Sequence, residues 1–241
     1  MTTRKVVLLL GLPVLAVLAV VGGWWFLIRE DAQLATSPLD IPDDLASNTE
    51  PDGSDGAESG TDVLAYAIIG EMSEAAYFVG EELASLPLPS TARGATDEIE
   101  GFFFLTSDGA ALAGDDVSKF TVDLTNLESG QSRRDSMVRR ALETSQFPTT
   151  TFTFASVIGF DESIPDGEEQ TLTLTGTLDL HGVQQEITWD VQAIREADVI
   201  SALATTTFLF TDFDISPPNI AGFVSVSDEV TLQVQLIAQA G

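Results

Sequence analysis

Two stretches decide how this chain folds. The first is Ser132-Arg133-Arg134-Asp135-Ser136-Met137-Val138-Arg139-Arg140-Ala141-Leu142-Glu143, running on through Gln146-Phe147-Pro148 into Thr149-Thr150-Thr151-Phe152-Thr153-Phe154. The second is Leu174-Thr175-Gly176-Thr177-Leu178-Asp179-Leu180-His181-Gly182-Val183. The first reads as a short basic helix over residues 133–143, then a strand rich in Thr and Phe. The second alternates apolar and polar residues and stops at a His-Gly turn. Thr and aromatic residues at a period of two suit a pleated strand with one dry and one wetted face.

The same alternation recurs on both sides of these stretches. Phe120, Val122 and Leu124 alternate with Lys119, Thr121 and Asp123; Ile187, Trp189 and Val191 alternate with Thr188, Asp190 and Gln192. Val230, Leu232, Val234 and Leu236 alternate with Thr231, Gln233 and Gln235 near the C-terminus. Ser107-Asp108-Gly109, Pro165-Asp166-Gly167, His181-Gly182 and Ser216-Pro217-Pro218 carry turn chemistry between the runs. Roughly seven to nine such strands between residues 63 and 241 predict one antiparallel sandwich or barrel. The helix at 133–143 is the only strong helical pattern in that span.

Upstream the composition changes twice. Residues 6–28 carry no charge, and as a helix they would span roughly 34 Å, enough to cross a bilayer's hydrocarbon. Trp24 and Trp25 near the outer end fit an interfacial aromatic belt. Arg4 and Lys5 precede the run and Arg29 is followed at once by Glu30 and Asp31, so residues 1–5 are expected in the cytoplasm and the rest outside. A cleaved signal peptide is the competing reading, although its apolar region is usually shorter. Residues 29–62 are rich in Asp, Glu, Pro, Gly and Ser, with no basic residue after Arg29. Such a segment buries too little apolar surface to offset its ordering entropy, and reads as a disordered acidic tether. The folded domain is expected over residues 63–241.

Composition excludes several chemistries. There is no Cys and a single His, which removes disulfides, thiolate sites and most zinc sites. Asp and Glu outnumber Lys and Arg 38 to 10, for a formal charge of −28. A field of that sign repels nucleic acid, so no nucleic-acid partner is expected. Asp52-Gly53-Ser54-Asp55-Gly56 lacks the spacing of an EF-hand loop. One His and no Gly-x-Ser-x-Gly elbow leave no case for an enzyme, and no cofactor or metal is expected.

In order and spacing, the helix–strand pair and the stretch from Leu174 to Val183 resemble the YceI-like family of lipid- and polyisoprenoid-binding proteins. Tyr66 to Leu83 is similar to that family's opening hairpin, and Ile99-Glu100-Gly101-Phe102 to its glycine-aromatic strand. Ala204 to Ile215, with Val226-Ser227-Asp228-Glu229-Val230, is similar to its last two strands. The resemblance covers residues 64–238. It implies an all-β fold, an extended lipocalin-like antiparallel barrel of about eight strands with one short helix, whose lumen holds a lipid chain. Met72 stands where the family often has His, and Phe210 and Asp214 where it often has Arg and Gly. With Asp212 beside Asp214, a pyrophosphate would be poorly received, so a neutral isoprenoid, quinone or fatty amide is the expected partner.

On that basis the lumen-lining residues are expected to be Phe120, Val122, Leu124, Phe152, Phe154, Leu174, Leu178, Trp189, Phe208, Phe210, Leu232 and Val234. The same side chains would equally pack a dry core. Arg133, Arg134 and His181 are the head-group candidates. The arginines, with Arg139 and Arg140, would otherwise pair with Asp135, Glu143 and nearby carboxylates, and parity puts His181 outward, in turn chemistry. The expected whole is a membrane-anchored extracytoplasmic binding protein; its rival is a tethered β-domain with a filled barrel and no ligand.

Overall fold

The alternating segments become strands that are antiparallel throughout. The computed structural model describes residues 32–46, 63–83, 89–106, 109, 111–113, 116–161, 163–220 and 224–241. The expected membrane helix at 6–28 and the parts of the expected tether at 29–31 and 47–62 lie outside these. Among the described residues no helix is long and apolar enough to cross a membrane.

The strands are β1 (Val63–Ile68), β2 (Glu74–Leu83), β3 (Ser90–Thr96), β4 (Ile99–Thr106), β5 (Lys119–Asp123), β6 (Thr149–Ile158), β7 (Glu169–Leu180), β8 (Val183–Glu196), β9 (Val199–Leu209), β10 (Asn219–Ile220) and β11 (Val224–Ala240). The helices are α1 (Asp43–Ala46) and α2 (Ser132–Ala141), the latter within the span expected to be helical. Eight strands close a ring in the order β1-β4-β5-β6-β7-β8-β9-β11, and Tyr66↔Ala240 to Ile68↔Ala238 join β11 back to β1. Closure removes the open edges that would otherwise template aggregation.

β2 and β3 extend the wall beyond this ring. β2 pairs with β11 from Val224 to Gln235, and β1 takes over the same edge of β11 at Ala238. β1 and β2 therefore run in one direction along a common partner and do not pair with each other. The hairpin expected between Tyr66 and Leu83 is replaced by a kink, the 3-10 turn Gly70–Met72. The Ser73 hydroxyl fixes this kink: it donates to the Ile69 carbonyl at 2.8 Å and accepts the Ile237 N–H at 3.1 Å. A side chain at Gly70 would place its Cβ 2.6 Å from the Ile99 carbonyl oxygen, so the close approach needs glycine. A second departure is at Phe210, which lies in the 3-10 turn Phe210–Phe213 and not in a strand.

The inward rows follow the parity read from the sequence. Phe120 and Val122 on β5 and Leu124 just after it are buried, as are Leu174 and Leu178 on β7, Trp189 on β8 and Val234 on β11. Gly176 interrupts the β7 row for a reason of space. A Cβ there would meet the Phe152 ring at 2.6 Å and the Thr153 carbonyl oxygen at 2.2 Å. The bulge in β6 between Phe154 and Ser156 lies opposite this point. In the Phe102-Phe103-Phe104 triple, Phe103 is buried and stacks on Tyr66 at 5.2 Å, whereas Phe102 is exposed and uncovered by α2.

The largest difference from expectation is at residues 33–46, read above as the start of a disordered tether. They form part of one compact unit with the barrel. Gln233 projects outward from β11, is 5 % exposed, and treats Ala35 as a strand neighbour. Its Oε1 accepts the Ala35 N–H at 2.9 Å and its Nε2 donates to the Ala35 carbonyl at 3.0 Å. Ser201 on β9 donates to the Leu39 carbonyl at 2.6 Å, and Pro38 is buried between these contacts. Composition favoured disorder because the segment is acidic and short of large apolar side chains. The barrel's outward amide and hydroxyl groups supply partners to its backbone that no periodicity in the segment reveals. Replacing Gln233 by Ala leaves the Ala35 amide and carbonyl without these partners. It should lower stability by about 1–2 kcal/mol, measured by denaturant unfolding, and should accelerate hydrogen exchange of the Ala35 amide.

Candidate ligand-binding lumen

The inward rows do not fill the barrel. They leave two chambers with nearly wholly apolar walls, of about 130 Å³ and about 120 Å³. The first lies under α2 and is bounded by Val122, Leu124, Leu178, Phe208, Phe210 and Leu232. The second is bounded by Phe103, Phe154, Leu172, Leu174, Val191 and Leu236. Phe120, Trp189 and Val234 border both. Phe152, with no exposed surface, packs 5.6 Å from the Phe120 ring and 5.7 Å from Trp189. Of the twelve residues predicted for a lumen, Phe152 thus fills the partition between the chambers and the others border open space.

A helix face closes the first chamber. Arg134, Met137, Val138, Ala141 and Leu142 all line it. Their spacing of three and four residues puts them on one side of α2. Arg134 grips Glu81 of β2 with two hydrogen bonds, Nε to Oε1 at 3.1 Å and Nη2 to Oε2 at 3.0 Å. The side chains are only 20 % and 11 % exposed, so the pair holds the N-terminal part of the lid in a largely desolvated setting. This arginine thus pairs with a neighbouring carboxylate, as its alternative reading has it, but the partner is Glu81 and not Asp135 or Glu143. Asp135 instead accepts the Ser129 N–H at 2.9 Å and the Ser129 hydroxyl at 2.5 Å.

The other end of the lid meets the β7–β8 turn. His181 Nδ1 donates to the Phe213 carbonyl at 3.2 Å, its Nε2 is 3.6 Å from Glu143 Oε2, and its ring lies edge-on to Phe147 at 4.8 Å. Glu143, His181 and Asp214 all have left-handed backbones, with φ of 47°, 57° and 55°. Each such non-glycine residue costs on the order of 1 kcal/mol, so packing must hold the turns in place.

Of the three head-group candidates, only Arg134 reaches the lumen, and its charge is matched by Glu81. Arg133 is exposed and lines neither chamber; His181 borders neither chamber and serves the turn, as its parity indicated. Sequence reasoning missed Tyr77, Met137, Val138 and Leu142 in the first chamber. The apolar spacing along α2 was the available signal. Among the described residues, no group of three His, Asp or Glu is arranged to hold a metal.

Residues 68–238 match the YceI-like domain family along nearly the whole barrel. The chain belongs to the YceI-like family. Its fold is shared by a polyisoprenoid binding domain from Saccharophagus degradans, at 19 % identity and a TM-score of 0.54, over 74 % of this chain and 99 % of that one. BcnA from Burkholderia cenocepacia is similar at 16 % identity and a TM-score of 0.53, over 71 % and 99 % respectively. Comparison with curated proteins gives no match. At these identities the likeness fixes the YceI-like barrel, and the chain's own lumen must supply the argument for its contents.

Tyr77 makes the mouth sensitive to alkaline pH. Burial pushes its hydroxyl from the ordinary value of 10.0 up to about 12, with Asp135 and Glu81 adding to the rise and Arg134 opposing it. The folded state thus holds this proton more tightly than the unfolded chain, so the stability it contributes is complete below pH 10 and is lost as pH rises towards 12. Chemical denaturation across that window should show a steeper alkaline loss in the native sequence than in Tyr77→Phe.

Proposed function

We propose that this YceI-like protein reversibly sequesters one lipophilic chain, of isoprenoid, quinone or fatty amide type, in the barrel lumen without chemical turnover. The observation that carries the reading is the pair of apolar chambers inside a closed ring, under an amphipathic lid. Each buried methylene contributes about 0.8 kcal/mol, so a chain of ten or more carbons can exceed an association cost of about 4–15 kcal/mol. Either chamber alone is smaller than the usual ligand pocket of roughly 300–1,000 Å³. A long chain therefore has to occupy both, and the Phe120–Phe152–Trp189 partition must open for it. The alternative, a ligand-free interaction domain, is favoured by that same partition, since packed rings are what a dry core would contain.

The uncharged run at residues 6–28 supports a place for the protein at the membrane, with the barrel on the extracytoplasmic side as a carrier or buffer near its own bilayer. Protease added to intact spheroplasts should then remove the barrel while leaving cytoplasmic markers whole; complete protection would reverse the orientation. Native mass spectrometry of the full-length protein from its own host should detect a co-purifying lipid. Phe208→Asp should abolish its retention, and Arg133→Ala should leave it unchanged because Arg133 lies outside both chambers. A barrel that stays empty with excess quinone or isoprenoid would establish the ligand-free reading.

A further inference from the structure

Three buried side-chain polar atoms among the described residues have no hydrogen-bond partner: His181 Nε2, Trp189 Nε1 and Asp198 Oδ1. Only Trp189 borders the chambers, and it borders both while 1 % exposed. Apart from the Tyr77 hydroxyl, the other polar side chains around the lumen are engaged. Arg134 and Glu81 hold each other, Thr150 donates to the Asp179 carbonyl at 2.7 Å, and Gln170 accepts the Asp161 N–H at 3.0 Å. The indole N–H is a donor with no acceptor function of its own. The indole ring packs against Phe152, with ring centroids 5.7 Å apart at 76°, and Phe120, 6.5 Å apart at 64°, and aromatic faces are weak acceptors at best. A buried donor without an acceptor is unfavourable in an apolar site, and a ligand acceptor placed there recovers that loss.

We propose that Trp189 determines the lumen's specificity by donating its indole hydrogen bond to a neutral oxygen carried part-way along the ligand's chain. The ligand class is then a lipid with an internal carbonyl, ester, amide or ether, flanked by apolar chain that occupies one chamber on each side. A pure hydrocarbon would leave the donor unmatched. A carboxylate or phosphate would find no unmatched cation, because the guanidinium of Arg134 at the first chamber is paired with Glu81 and that of Arg195 at the second with Asp166. Threading a chain past the partition requires the Phe120 and Phe152 rings to turn aside. That movement opens the space beside the indole to the chain. This inference rests on the reading of the lumen as a lipid site.

The test uses the full-length protein with Trp24→Phe and Trp25→Phe, so that Trp189 is its single indole. It is titrated by calorimetry with diheptyl ketone, which carries one carbonyl at its centre, and with pentadecane, which matches it in length. Replacing Trp189 by the isosteric 3-benzothienylalanine, which has no N–H, should weaken ketone binding roughly three- to tenfold and leave pentadecane unaffected. Trp189→Phe should show the same split between the two probes. The infrared carbonyl band of the bound ketone should shift to lower frequency with Trp189 present and return to its apolar-solvent position in the isostere. Equal losses for both probes, or an unshifted band, would overturn the role of Trp189 and leave the lipid site standing. Failure of both probes to enter the native protein would overturn the lipid site itself and the inference with it.

Discussion

The register of β11 governs the rest of the molecule. On one edge this strand of 17 residues pairs with β9, and on the other with β2 and then β1. A bulge between Val226 and Val230 interrupts the β2 pairing, and the Gly70–Met72 kink passes the same edge from β2 to β1 between Gln235 and Ala238. A slip by one residue would carry Val230, Leu232, Val234 and Leu236 to the outside and turn Gln233 into the lumen. Ring closure, the dryness of the chambers and the docking of residues 33–46 would then fail together. Few single registers have so many consequences, because strand pairing is usually shared among several partners of similar length.

The two faces of the wall are stabilised by different physics. Inside, rings meet in stacked, tilted and edge-on geometries, stacked from Tyr66 and Phe103 to Phe154 and tilted or edge-on among Phe154, Phe152, Phe120 and Trp189. Outside, some hydroxyl and amide side chains bond across strands, such as Thr121 with Thr151 and Thr207 with Thr231, each at 3.0 Å. Gln233 and Ser201 belong to that outer set but turn their groups towards another part of the chain. An outer wall of this kind tolerates a large negative charge, since the carboxylates stand in water and need no partner.

Much of this architecture was legible because a period of two reports burial directly. The rows of β5, β7, β8 and β11 could be assigned residue by residue, and with them several of the strand side chains that border the lumen. Three things escaped. Alternation says nothing about which strands neighbour which, so Tyr66 to Leu83 looked like a hairpin although its halves lie end to end on β11. It also marks a residue as inward without saying whether it bounds a space or plugs it, and Phe152 differs from Phe154 only in that respect. Docking of residues 33–46 depends on side chains some two hundred positions away, for example Gln233 for Ala35, and no local signal in the segment announces a partner at that distance.

The lid is fastened by the two hydrogen bonds of the Arg134–Glu81 grip, while Glu143 beyond its other end lies 3.6 Å from His181 Nε2 without a hydrogen bond. Its release is therefore a property of the protein and not of whatever lies beneath it. Equilibrium affinity grows with each added methylene of a guest, whereas escape must wait for these fastenings to come undone. For the lipid chains proposed above, residence time would then be a clock set by the helix: chains of unequal length would be held with unequal strength yet leave at nearly the same pace.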